Sequence, residues 1–120
     1  ADSVGPYKRA YWNHPCTIWA RECNENYSWL YAHFLALGME YTYRYGKEHA
    51  SITKLAKPLM HFPKNIKRGK MTTVAQAMPD QYKNKDPIKA YRDYCINEKT
   101  YAQWNKNRTK PIWWTQEVVV

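Results

Sequence analysis

The sequence predicts a small all-α protein, and three observations carry that prediction. Between Pro15 and His49, Trp19, Cys23, Tyr27, Leu30, Phe34, Leu37, Tyr41 and Tyr45 recur at steps of three or four residues. That is the period of a helix with one buried stripe. Asp86-Pro87 places a capping side chain ahead of a proline at the first helical position, the start of another helix. No stretch keeps the apolar–polar alternation of a strand. At 120 residues the expectation is one domain over 1–120, with an irregular arm over 1–12 and a loose tail over 115–120.

In chain order, Gly5-Pro6 breaks structure in the arm, where Lys8 and Arg9 lie among Tyr7, Tyr11 and Trp12. Asn13-His14-Pro15 starts the long helical region, since proline loses nothing at the first helical position. Asn24 to Asn26 is its weak point, able to cap a second helix after a short break. Gly46 can end the run. A short helix follows within 47–57, and Pro58 is expected to close it. Residues 58–71, with two prolines, a glycine and four closely set cations, read as loop. Thr73 to Ala77 is expected to form one helical turn. The helix from Pro87 is expected to reach about Trp104, with Ile88, Tyr91, Tyr94, Cys95, Tyr101 and Trp104 inward.

Composition narrows the function. Eleven Tyr and six Trp against two Phe favour half-buried positions, interfaces and stacking surfaces over a dry core. The net charge of +9 points to an anionic partner, nucleic acid or a nucleotide. From His49 to Pro79 there is no acidic residue. Three cysteines do not suggest a disulfide framework. Along a continuous helix Cys16 and Cys23 stand about 10 Å apart, too far to bridge. No apolar run of about 18 residues marks a membrane span, and no signal peptide is visible. The expectation is a cytoplasmic protein with no cofactor and no metal.

No GxxxxGK, GxGxxG or HExxH motif is present. Two constellations remain. One is cationic and aromatic: Lys64, Lys67, Arg68 and Lys70, and a second group of Trp104, Lys106, Arg108, Lys110 and Trp113 with Trp114. Cations there would hold phosphates and aromatics would stack on bases. The alternative is a solvated basic surface with tryptophans anchored inside. The other is a polar cluster of Arg44, Tyr45, His49, Tyr91, Arg92 and Glu98 about Glu40, in which Glu40 and Arg44 are expected to be partly buried and hydrogen-bonded, with Tyr45, His49, Arg92 or Glu98 nearby. Glu22 and Glu40 are candidate catalytic carboxylates, set against a plain ion-pairing role.

The segments NHPCTIWARE, EYTYRYGKEH, AQAMPDQY and DPIKAYRDYCINEK resemble a family of small proteins from marine bacteriophages and related environmental sequences. The resemblance covers roughly residues 10–115. It implies action in the cytoplasm of an infected bacterium and brings no assigned activity. A fainter similarity is to the phage pyrimidine-dimer DNA glycosylases of endonuclease V type, in the order of a helix ending in RYGK, an MPDQY turn, a last helix and a Trp-rich tail. That similarity implies an amine nucleophile and a glutamate on an early helix, for which Glu22 is the candidate. The expected function is nucleic-acid or nucleotide binding by a phage-type accessory protein. The alternatives are a glycosylase/lyase-like enzyme, or an interaction protein whose aromatic patch joins a homo-oligomer.

Overall fold

The computed structural model describes residue 8 and residues 10–115. Among the described residues the protein is all-α, 54% helical with no strand. The helices are α1 (Pro15–Glu22), α2 (Asn24–Tyr45), α3 (Ala50–Leu55), α4 (Pro87–Glu98) and α5 (Ile112–Thr115). Single 3-10 turns form at Pro58–Met60 and Asp80–Tyr82. The chain divides into two compact units, Ala1–Thr72 and Thr73–Val120. Most of the expected arm and nearly all of the expected tail lie outside the described residues.

In the first unit the long helical region breaks at Cys23, whose backbone is extended (φ −161°, ψ 166°). The break lets Asn26 reach back to the end of α1, donating from Nδ2 to Trp19 O at 2.8 Å. α1 and α2 then pack on each other, with the Trp19 ring edge-on to Trp29 at 5.8 Å. His14 and His49 cap α1 and α3: each Nδ1 accepts a backbone N–H two residues on, at 3.1 and 3.0 Å. Gly46 ends α2 in the left-handed region (φ 69°), its N–H donating to Thr42 O. Arg21 holds the incoming chain. It lies 3.9 Å from the centroid of Trp12 and donates to Trp12 O at 2.6 Å.

The predicted stripe is only half right. Trp19 and Cys23 are buried, but Leu30 and Leu37 are exposed, Leu37 by 58%. The covered face of α2 turns instead through Tyr27, Tyr31, Phe34, Gly38 and Tyr41. Gly38 is the cause. It lets Ile52 of α3 come so close that a Cβ at Gly38 would fall inside contact distance of Ile52 Cγ1 and Cδ1. Leu30 and Leu37 are left on the flank of that line. Gly38→Ala is therefore expected to cost about 1–3 kcal/mol by overpacking. That exceeds the gain of at most about 1 kcal/mol from alanine's helix propensity. Urea unfolding in an Ile52→Ala background, where the clash is gone, should show the cost removed.

Two tyrosines of α2 bind the segment after α3. Tyr31 donates to Ala56 O and Tyr27 to Leu59 O, both at 2.6 Å. Burial raises the Tyr27 phenol above its ordinary value, and neighbouring Tyr31 adds to the shift. A folded pKa above the unfolded one means stability that is present below about pH 10 and lost as pH rises through the folded value. Tyr27→Phe should lower stability by about 0.5–1.5 kcal/mol at neutral pH. In thermal melts it should also flatten the decline above about pH 10.

In the second unit Asp86 caps α4, its Oδ1 accepting from Ile88 N at 3.0 Å. Ala90 is wholly buried. Residues 73–77 form no helical turn. The Tyr91 hydroxyl donates to Ala75 O and accepts from Ala77 N, and Gln76 pairs through its amide with the backbone of Asn84. These bonds hold the segment out of helical geometry. α4 stops at Glu98, well before Trp104, as Lys99 leaves helical geometry (φ −106°, ψ 45°). Ile88 and Tyr101, expected inward, are 62% and 71% exposed, because α4 turns Ala90 rather than Ile88 inward. Trp104 packs edge-on against Trp114 at 5.2 Å, and Trp113 lies 5.3 Å from Trp114.

Candidate nucleic-acid interface

The break at Cys23 does more than separate two helices. It leaves Asn24 N and the side chains of Trp19, Cys23, Asn24 and Asn26 as bonding partners, and residues 67–72 lie across them as a strap. Asn24 N donates to Lys67 O, and Asn24 Oδ1 accepts from Gly69 N, both at 2.9 Å. Cys23 Sγ donates to Lys70 O at 3.4 Å. Asn26 Oδ1 accepts from Thr72 N and its Nδ2 donates to Thr72 Oγ1, both at 2.9 Å. Trp19 Nε1 donates to Thr72 O at 3.2 Å. The strap passes closely at Gly69, where a Cβ would stand 3.3 Å from Cys23 Cβ.

The backbone of the strap is thus bonded inward, while Lys67, Arg68 and Lys70 on it, and Lys64 just before it, are all exposed. A groove of about 530 Å³ runs beside them, lined by Asn24, Glu25, Phe62, Arg68 and Lys70 among others. A loop fixed by its main chain, carrying cations outward with no acid of its own, is suited to holding phosphates.

The other predicted residues fall out differently. Lys106, Arg108 and Lys110 are exposed on a turn of the second unit, with Lys106 and Asn107 at positive φ. Trp104 and Trp113 beside them are half-buried among rings rather than open. Arg92 lies 5.1 Å from the centroid of Trp113.

Of the polar cluster, Glu40 and Arg44 form an ion pair at 2.7 Å, with side chains 34% and 22% exposed. Tyr45 packs on Tyr41 at 4.8 Å, and His49 stands edge-on to Tyr41 at 4.7 Å. Tyr91, Arg92 and Glu98 belong to the second unit. There Tyr91 staples the 75–77 backbone, and Glu98 accepts from the Tyr82 hydroxyl at 2.6 Å.

Glu22 is the carboxylate nearest the strap in bonding. It is exposed, and its Oε1 accepts from Thr72 Oγ1 at 3.1 Å and from Asn26 Nδ2 at 3.3 Å. Asn24, Asn26 and Thr72, which build the site, were not singled out by chemistry in the sequence. The one signal for Asn24 and Asn26 is the Asn-Glu-Asn run at the helix break, and Thr72 carries none. Among the described residues no group of three or more His, Cys, Asp or Glu could hold a metal ion, and His33 is stacked on Trp29 at 5.2 Å. No described helix is long and apolar enough to cross a membrane. No protein-family model, curated protein or solved structure matches the chain.

Proposed function

We propose that the protein binds nucleic acid through the strap, with backbone phosphates on Lys64, Lys67, Arg68 and Lys70. The observation that carries this reading is the direction of the strap: its peptide groups bond inward to Asn24, Asn26 and Trp19, and its cations face solvent. Held in one conformation, the cations lose little backbone entropy on binding a chain of phosphates. The second unit carries its own exposed cations, Lys106, Arg108 and Lys110, of the type that contacts phosphate. Such a protein serves as an accessory to nucleic-acid metabolism in the cytoplasm of an infected bacterium, the setting implied by the phage resemblance.

The test is fluorescence anisotropy with labelled single- and double-stranded oligonucleotides at low salt. Binding is expected with Kd on the order of 10 µM or tighter, inside the range of sequence-independent electrostatic association. The Lys67→Ala/Arg68→Ala/Lys70→Ala triple variant should weaken binding alike for every sequence, since phosphate contacts carry no base information. No binding by the wild-type protein would remove this reading.

A second reading, a glycosylase/lyase-like enzyme, is favoured by Glu22. Its carboxylate is held by Asn26 and Thr72 at the edge of the strap, placed for general acid or base work on a strand bound there. Borohydride trapping on damaged DNA checks it, because a lyase forms a reducible Schiff base through a primary amine. Glu22→Gln should abolish the trapped adduct and leave oligonucleotide binding intact.

A further inference from the structure

We infer that the groove beside the strap receives one unstacked base against Phe62, so that single-stranded nucleic acid is the preferred ligand. This rests on the nucleic-acid reading and narrows it. The groove, at about 530 Å³, falls within the range of small-ligand pockets. Phe62 is 51% exposed and yet not adrift. Its ring packs edge-to-face on Tyr27 at 5.8 Å, and Tyr27 is pinned by its hydroxyl to Leu59 O.

Arg68 and Lys70 line the same groove, and Glu25 faces it as well. A carboxylate there repels a phosphate, which directs the phosphate to Arg68 and Lys70 and leaves the apolar wall of Phe62, Pro63 and Ile66 for the base. One ring face plus paired cations is the combination that binds single strands without regard to sequence. A duplex can satisfy the cations, but its bases are stacked and paired and cannot present a face to Phe62. The tryptophans expected to stack, Trp104 and Trp113, are half-buried in their own cluster.

The experiment compares oligo(dT) with a duplex of equal length for wild-type, Phe62→Leu, Phe62→Tyr and the strap triple variant, each checked by thermal melting. Wild-type protein should favour the single strand by about tenfold, the worth of one stacked base. Phe62→Leu should lose that preference with duplex binding unchanged, and Phe62→Tyr should keep it. The strap triple should weaken both ligands. Single-strand binding by Phe62→Leu equal to wild type, with the strap triple impaired, would overturn the groove inference and leave the strap reading standing. Wild-type binding to neither ligand would fail the strap reading itself. Photo-crosslinking of wild-type protein to a 5-iodouracil strand decides the matter without a variant. Adducts on the peptide carrying Phe62 are expected, and adducts confined elsewhere would overturn the inference.

Discussion

Replacing Asn26 with leucine is expected to lower the free energy of unfolding by about 3–5 kcal/mol, because two backbone groups, the buried Trp19 C=O and the partly buried Thr72 N–H, lose their partners at about 1–3 kcal/mol each and the side chain's other bonds are lost with them. Asn26 is fully buried and is the largest such side chain among the described residues. Its amide donates to Trp19 O, Thr72 Oγ1 and Glu22 Oε1, and its carbonyl accepts from Thr72 N. Leucine keeps the branched four-atom skeleton and is somewhat bulkier, so the loss would come from unmade polar bonds with some overpacking rather than from a cavity. Asn26→Asp keeps the acceptor for Thr72 N, removes the donor to Trp19 O, and sets a second carboxylate near Glu22. It should be at least as damaging at neutral pH. Urea unfolding measures both, and a change under about 1 kcal/mol for leucine would show that water replaces the lost bonds.

Trp19→Ala is expected to cost about 3–5 kcal/mol, in the range for large aromatic truncations in a core. Trp19 is 5% exposed, meets Trp29 edge-on, and donates to Thr72 O. Trp19→Phe retains most of the apolar contact and drops the indole donor, so about 0.5–1.5 kcal/mol of the loss should remain. Trp19 and Asn26 hold the two backbone polar groups of one residue, Thr72: its C=O and its N–H. The double variant should therefore cost less than the sum of the two singles, and strict additivity would mean that Thr72 is not their common partner.

These two residues also mark where the sequence was readable. Periodicity identified Trp19 and Cys23 as inward, and the Asn-Glu-Asn run marked the helix break to within a residue or two of Cys23. Both are local signals. Pro15, Gly46 and the Asp86-Pro87 pair fixed helix ends for the same reason. What stayed hidden depended on chain segments far apart in sequence. The apolar stripe gave no sign that Gly38 would draw Ile52 inward and leave Leu37 outside. The helical turn over 73–77 does not form: the Tyr91 hydroxyl claims the backbone of Ala75 and Ala77, and the Gln76 side chain pairs with the backbone of Asn84.

The candidate site divides along the same line. The cations at 64–70 were evident from their spacing. The frame that aims them was not, since Asn24 and Asn26 bond to residues 45 and 46 positions away. Tryptophan content suggested open stacking rings, but Trp104, Trp113 and Trp114 pack on one another, and Phe62 offers the more open face.

The most direct test of the strap as a phosphate-binding surface is the salt dependence of oligonucleotide affinity. For wild-type protein the logarithm of the association constant should fall linearly with the logarithm of salt concentration, as counterions are released from the neutralised phosphates. In the Lys67→Ala/Arg68→Ala/Lys70→Ala variant the magnitude of that slope should drop by about three, one for each phosphate contact removed. An unchanged slope would contradict the assignment and place the phosphate contacts elsewhere on the chain.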